Sequence, residues 1–338
     1  MAEKAIGLDY AVSAAEPLLD VISLHKQFPV YSPFGKIFGA KAFVHAVSDV
    51  SFQLYEGETY GLVGESGSGK STIGRTILGL TPASSGQVLY KKQDLAAMRK
   101  GDLRKFRKDI QMVFQDPFSS LNPRKRIGAI LEEALIIHNQ GNQVERQEAV
   151  FRILQTVGLQ AEHYFRFPHE FSGGQRQRLG LARALIMNPK IIVCDEPVSA
   201  LDVSIQSQIL NLLKQLQRDL KLTLLFITHD ISVVRYISDR IGIMYLGKIV
   251  EEAATDQLFS NPVHPYTKSL FSAVPGFSGK KLKERIILKG EIPSPLSPPS
   301  GCVFHTRCPY ATERCKTEVP GLTNIASNHK AACHLIST

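Results

Sequence analysis

Residues 64–72 read Gly-Glu-Ser-Gly-Ser-Gly-Lys-Ser-Thr, after an apolar run that includes Tyr60, Leu62 and Val63 and ahead of a helix-like stretch from Ile73 to Leu80. A glycine-rich turn that converts a strand into a helix commits a chain to an α/β unit with a ligand at the junction. Gly64, Gly67 and Gly69 let the backbone wrap closely around phosphate oxygens, and the helix beyond aims its free N–H groups and positive dipole end at them. Ser66 and Thr72 flank Lys70, a point charge for β and γ phosphates, and Ser71, whose hydroxyl is a ligand for Mg²⁺. A glycine turn without a ligand is the competing reading; the legible strand before and helix after it favour a nucleoside triphosphate site.

The rest of the chain supplies the parts such a site needs. Residues 48–63 read as two strands around a turn at Glu56-Gly57, with further strands at Gln87–Tyr90, Ile110–Phe114, Ile191–Cys194 and Thr223–Thr228. Helical periodicity runs from Arg126 to Val157, where Gly158 stops it, and from Gly173 to Asn188, behind a Ser172 N-cap and before Pro189. It returns as an apolar stripe of Ile205, Ile209, Leu212, Leu213, Leu216 and Leu220. Alternating strands and helices predict a largely parallel sheet with ligands beyond the carboxyl ends of its strands. The phosphate loop, Gln115, Asp195, Glu196 and His229 all fall at such ends. Asp195 suits Mg²⁺, held directly or through water, and Glu196 beside it can polarise an attacking water. Gln115 can reach both metal and water, and His229 can hydrogen-bond a γ-phosphate. Taken singly these are an ordinary acid pair, a loop glutamine and a strand-end histidine; the phosphate loop makes the set informative.

Phe171-Ser172-Gly173-Gly174-Gln175 puts a hydroxyl and two glycine N–H groups at another helix start, a second anion cradle. One nucleotide does not need two cradles from distant parts of one chain. The simplest arrangement has this one serve the γ-phosphate of a neighbour's ATP, so the protein is expected to dimerise around nucleotide.

The 338 residues, 43% hydrophobic and 21% charged, suffice for a sizeable core and two domains. No stretch approaches the roughly 18 apolar residues of a membrane span, and Glu3, Lys4, Asp9 and Glu16 stand where a secretory leader needs an apolar region, so a cytosolic location is expected. The net charge of +9 permits an anionic partner, with the densest basic runs at Lys91-Lys92, Arg104 to Lys108, Arg124 to Arg126 and Lys280 to Arg285. These runs are short and lack interleaved aromatics, so they are read as solvated surface and no nucleic-acid partner is expected.

In this order the motifs resemble the ATPase subunit of ABC transporters, over roughly residues 18–255. Gly64 to Thr72 is similar to the Walker A motif, Gln115 to the Q-loop, Ser172 to Gln175 to the signature, and Ile191 to Asp195 to Walker B with Glu196 as the catalytic carboxylate. Ser199-Ala200-Leu201-Asp202 resembles the D-loop and His229 the switch histidine. The resemblance implies an α/β fold of the ABC type: a RecA-like P-loop core with an antiparallel β subdomain and an inserted helical signature subdomain at about 116–186. It implies an ATPase domain over 1–258 and a small Cys-rich C-terminal extension over 259–338. Mg²⁺ would be held by Ser71, Gln115 and Asp195, while Lys70 and His229 stabilise charge on the transferring phosphoryl group. It also implies an aromatic upstream that stacks on adenine, for which Phe28 is the first choice and Tyr31 the second, ahead of a long Ser32 to Phe43 stretch.

Phe114-Gln115-Asp116-Pro117, Ser119 to Arg124, Ser199 to Gln206 and His264-Pro265-Tyr266-Thr267 are similar to the oligopeptide and dipeptide importer branch, in its OppF/DppF-like subunit. By that similarity the chain is peripheral to the cytoplasmic face of the membrane, in a heterodimer with a related ATPase subunit. Its other partners would be two transmembrane permeases and an extracytoplasmic peptide-binding protein. Nickel and glutathione importers share much of the pattern, and a soluble ABC-type ATPase acting on nucleic acid is the other alternative.

Of the five cysteines, Cys194 sits inside an apolar strand, whereas Cys302, Cys308, Cys315 and Cys333 gather in the tail. Their spacings, C-x5-C, C-x6-C and a longer gap, match neither a zinc ribbon nor a common ferredoxin run, and leave zinc, with His305, His329 or His334 as substitutes, beside iron–sulfur. Similarity to this importer branch implies a [4Fe–4S] cluster, with free thiols as the competing reading.

Overall fold

The computed structural model describes residues 16–31, 42–116, 121–273 and 286–336. In chain order these form β1 (Leu19–Val30), β2 (Ala42–Leu54), β3 (Thr59–Val63), α1 (Lys70–Ile77), β4 (Ser85–Tyr90), β5 (Gln93–Asp94), α2 (Lys100–Asp109) and β6 (Ile110–Val113). Then come α3 (Ile127–Ile137), α4 (Gln143–Thr156), α5 (Gly173–Leu185), β7 (Ile191–Asp195), α6 (Val203–Leu220), β8 (Thr223–Thr228) and α7 (Ile231–Ile237). The tail holds β9 (Arg240–Tyr245), β10 (Lys248–Ala254), α8 (Thr255–Ser260), α9 (Pro265–Ser272), α10 (Glu313–Thr317), β11 (Thr323–Ala326) and β12 (His329–Ala331). Ser119, Ser120, most of the 32–43 stretch and the 280–285 basic run lie outside the described residues.

Two sheets result. A four-stranded antiparallel sheet has the order β2-β1-β4-β5, and an eight-stranded sheet the order β11-β12-β10-β9-β3-β8-β7-β6. The predicted parallel core holds for β9-β3-β8-β7-β6, and the far edge is antiparallel. Every residue of β3, β7 and β8 is buried, as a strand covered on both faces requires. Side chains alternate between the two coverings. Ile191, Val193, Leu225 and Ile227 pack with Ile73 and Ile77 of α1, whereas Ile192, Cys194, Leu224 and Phe226 pack with Leu181, Leu185, Ile209 and Leu213 of α5 and α6.

The helical run read from Arg126 to Val157 is two helices. Asn139 (φ 53°) and Gly141 (φ 65°) take left-handed backbone that a continuing helix cannot, and Asn142 restarts the chain with a capping box closed by Glu145. With α5, these helices form the inserted unit between β6 and β7. Three strands, β1, β9 and β10, carry weaker sequence signals. β1 is interrupted by register shifts between Val21 and Gln27, which break its alternation. β9 and β10 form a hairpin whose two-residue turn, Leu246 (φ 42°) and Gly247 (φ 82°), has the primed geometry of tight hairpins despite a leucine at its first position.

The tail is joined to the main sheet. β12 pairs with β10, Glu251 opposite Ala331, and Tyr245 and Val250 share one apolar cluster with Tyr266, Phe271, Cys302, Phe304 and Cys315. Phe304 is 1% exposed, so its burial stabilises this junction by about 2–3 kcal/mol. His264 caps α9: its Nδ1 accepts the Tyr266 N–H at 3.1 Å, while Glu251 accepts the His264 N–H at 2.9 Å. An accepting Nδ1 must be unprotonated, and burial pushes this imidazole down to about 4, against the opposing pull of Glu251. Because the folded value lies below that of the unfolded chain, the stability it confers is complete above about pH 6.5 and is lost as pH falls toward 4. Acidification across that window is expected to remove up to about 3 kcal/mol. In His264→Asn, which caps without titrating, the unfolding midpoint should fall less steeply; an equal acid slope would refute the assignment.

Candidate active site

The phosphate loop leaves the buried end of β3 and enters α1, and its shape is set by what it is pressed against. A Cβ on Gly64 would lie 2.1 Å from the Met244 carbonyl oxygen, and one on Gly69 would lie 2.0 Å from that of Ala46. Gly69 also has φ 102° and begins α1 without a side-chain cap, so the first N–H groups of α1 are directed into the loop. The β9–β10 turn braces the loop from behind through Gly247 N–H, which donates to Ser68 O at 2.9 Å. Lys70 Nζ donates to Gly64 O at 2.8 Å, Glu65 O at 2.9 Å and Ser68 Oγ at 3.3 Å, placing an ammonium at the centre of the curl. Burial lowers the Lys70 pKa, and the charges of Glu196, Asp195 and Glu65 oppose that shift.

The adjacent strand ends bring up the remaining groups. Ser71 Oγ donates to Asp195 Oδ1 at 2.7 Å, and burial raises the Asp195 pKa while that hydrogen bond lowers it. A hydroxyl beside a carboxylate is a hard-oxygen pair that fits Mg²⁺, which takes one or two protein oxygens and completes its shell with water and phosphate. Glu196 follows with φ 46°, an uncommon backbone for a glutamate, held by its N–H to Ile227 O at 2.9 Å. Its two carboxylate oxygens are separately engaged: Oε2 accepts from Gln115 Nε2 at 3.0 Å and Oε1 lies 3.0 Å from His229 Nδ1. Residues from β6, β7 and β8 thus converge on one carboxylate.

A cavity of about 550 Å³ is lined by Gly64, Ser66, Gly67, Gly69, Lys70, Ser71, Thr72, Gln115, Glu196 and His229, while Asp195 lies behind Ser71 and is not among the lining residues. Its other wall carries no motif in the sequence. Val44 and Ala46 of β2, Leu270 of α9 and Pro295 also line it, and Pro295 O accepts the His45 N–H at 2.9 Å. Phe28 and Tyr31 are not among the lining residues; both are exposed, and Phe28 sits on β1 opposite Val44 with Lys26 Nζ 4.8 Å from its ring. In an antiparallel pair opposite side chains share a face, so Phe28 stands one strand further from the loop than Val44.

Ser172, Gly173, Gly174 and Gln175 also lie outside this cavity. Ser172 Oγ and Gln175 Oε1 form a capping box at the start of α5, and Ser172 and Gly173 are exposed. Ile205, whose Cγ2 a Cβ on Gly174 would meet at 2.6 Å, packs behind this turn. Asp202 caps the neighbouring α6 through Ile205 N–H, a bond that lowers its pKa. The chain therefore presents the second cradle outward, away from its own phosphate loop.

In the tail, Cys302, Cys315 and Cys333 are buried and Cys308 is half-buried. Burial pushes the Cys302 thiol up to about 11, against the opposing effect of a hydrogen bond from the Phe304 backbone. Yet among the described residues no group of three or more His, Cys, Asp or Glu side chains is arranged to hold a metal ion. Cys302 and Cys315 pack in the apolar cluster with Cys308 at its edge, Cys315 Sγ lies 3.4 Å from Thr312 Oγ1, and the neighbouring histidines are engaged elsewhere: His305 with Cys302 O, His329 with Glu251 and His334 with Glu318 O. Among the described residues this arrangement gives zinc or an iron–sulfur cluster no support.

Comparison with known proteins agrees with the geometry. The family model for the ABC transporter matches residues 47–199, and that for the oligopeptide/dipeptide transporter, C-terminal region, matches 250–315. The chain is 53% identical over 325 residues to the oligopeptide transport ATP-binding protein AppF of Bacillus subtilis (strain 168), covering 95% of this chain and 98% of that protein. It is 48% identical over 317 residues to the dipeptide transport ATP-binding protein DppF of Haemophilus influenzae, covering 94% and 96%. Among solved structures, the dimeric ATP-binding cassette MJ0796 in a post-hydrolysis state bound to ADP and Pi superposes with a TM-score of 0.62 at 30% identity, over 70% of this chain and 98% of that one. The chain is accordingly an ATPase that belongs to the ABC transporter family, among the ATP-binding subunits of its oligopeptide/dipeptide branch.

Proposed function

We propose that this chain is the ATP-hydrolysing subunit of an importer that couples nucleotide binding and hydrolysis to the uptake of oligopeptides or dipeptides. The observation that carries the chemistry is the Gln115–Glu196–His229 chain standing at the edge of the phosphate loop. Glu196, fixed at both oxygens, orients a water toward the γ-phosphorus and accepts its proton as the oxygen–phosphorus bond forms and ADP departs. Lys70 and His229 hold charge that develops on the phosphoryl oxygens. Ser71, Asp195 and Gln115 would hold Mg²⁺, which would supply charge neutralisation for the phosphates. Ser172, Gly173, Gly174 and Gln175, turned outward, serve the γ-phosphate of a second, related ATPase subunit, whose own cradle closes on this chain's loop. Phe28, with Tyr31 as fallback, is the candidate adenine platform, carried by the family resemblance.

The names of AppF and DppF support peptide cargo, and with it two permeases, an extracytoplasmic peptide-binding protein and a position at the cytoplasmic face of the membrane. Among the described residues no helix is long and apolar enough to cross a membrane, so attachment would run through those permeases. The branch resemblance also supports a [4Fe–4S] group on Cys302, Cys308, Cys315 and Cys333, which would need the four sulfurs to draw together. An anaerobic preparation is then expected to be brown with iron and acid-labile sulfide; colourless protein with stoichiometric zinc would reverse that assignment. The functional test is reconstitution with the co-purifying permeases: peptide-loaded binding protein should stimulate ATP hydrolysis. Stimulation by nickel or glutathione instead, or by nucleic acid without permeases, would replace this reading. In the same assembly Ser172→Arg should slow hydrolysis at the partner's loop by about a hundredfold while this chain still binds ATP.

A further inference from the structure

Glu65 puts an acid inside a loop that must receive a polyphosphate, and the tail answers it. Arg307 Nη1 donates to Glu65 Oε2 at 2.9 Å and Nη2 to Oε1 at 3.3 Å, a two-pronged pair in which the arginine side chain is only 10% exposed and the glutamate 24%. A second contact fixes the same residue from the same side, because the Glu65 N–H donates to Tyr266 Oη at 3.1 Å. Tyr266 and Arg307 are themselves held together. Rings of Tyr245, Tyr266 and Phe304 pack at 4.7–5.4 Å between centroids, and the Arg307 guanidinium lies 5.8 Å from the Tyr245 ring. None of this belongs to the catalytic chain around Glu196. The tail grips the phosphate loop at its one acidic residue, through both backbone and side chain.

We infer that Arg307 is a positioning residue for the nucleotide site: it cancels the Glu65 carboxylate and fixes the phosphate loop against the tail. The inference rests on the reading of the cavity as an ATP site. Without the guanidinium, an uncompensated carboxylate faces the incoming triphosphate and the loop loses its clamp. Since Arg307 touches no reacting atom, its loss falls on affinity rather than on the chemical step.

The test is titration of the full-length chain with a fluorescent ATP analogue and Mg²⁺, with ATPase assays in parallel. Arg307→Ala is expected to weaken binding and raise KM by about tenfold with kcat within about twofold. Arg307→Lys, a point charge without the planar fork, should recover part of the loss. Adding Glu65→Gln to Arg307→Ala should recover most of it, which a purely structural arginine would not allow. Binding by Arg307→Ala within about twofold of wild type, or a double variant no better than Arg307→Ala alone, overturns the inference. Failure of the wild-type chain to bind the analogue would instead overturn the ATP reading itself.

Discussion

Glu196→Gln lowers ATP turnover by about a thousandfold and leaves nucleotide affinity equal to wild type or tighter, the loss a general base is worth when its geometry is kept. Glutamine has the volume of glutamate, so the positive φ of 46° and the backbone bond to Ile227 are undisturbed. Its carbonyl oxygen still accepts from Gln115 Nε2, which now stands 3.0 Å from Glu196 Oε2. What disappears is the capacity to take a proton from water, together with one negative charge near the γ-phosphate. The first loss stops the chemistry and the second favours the bound triphosphate. Nucleotide-loaded pairs of ATPase subunits should therefore accumulate, measurable as an ATP-dependent shift in size. Single-turnover hydrolysis at the wild-type rate would remove Glu196 from the mechanism.

The catalytic half of the site was legible because each part is a short run in contact with a strand end. Glycines at 64, 67 and 69, Lys70, Ser71, Asp195, Glu196 and His229 are recognisable by type and spacing, and the parallel strands that carry them are continuous apolar runs. The opposite wall of the cavity was not legible. Val44 and Ala46 reach it through the pairing of an antiparallel sheet, and Leu270 and Pro295 through the return of the tail, neither of which leaves a local pattern. The same holds for Arg307 and Tyr266, separated from Glu65 by 242 and 201 residues along the chain. The hairpin of β9 and β10 was hidden by its turn, since Leu246-Gly247 lacks the usual Asn-Gly or Asp-Gly signal. In the tail, cysteine number and the family resemblance point to a metal group, to which the described residues, with Cys302 and Cys315 buried in an aromatic cluster, add no support.

Gly64→Ala should weaken ATP binding by at least about a hundredfold, and Gly67→Ala by no more than about thirtyfold, although both alter glycines of the same loop. The difference lies in what a methyl group would meet. At Gly67 a Cβ finds nothing within 4 Å, so the variant incurs only the strain of alanine at φ 78°, roughly 1–2 kcal/mol. At Gly64 the Cβ would lie 2.1 Å from the carbonyl oxygen of Met244 and 3.0 Å from Ser68 Oγ. Met244 belongs to β9, pinned between β3 and β10, so the carbonyl cannot retreat and the loop must move instead. That movement separates Gly64 O from Lys70 Nζ, now 2.8 Å apart, and with it the ring of groups that surrounds the ammonium. Titration of the two folded variants with ATP, read beside their unfolding midpoints, decides the matter. Equal losses at the two positions would mean that glycine serves this loop through flexibility, and that the close approach of β9 does not shape the site.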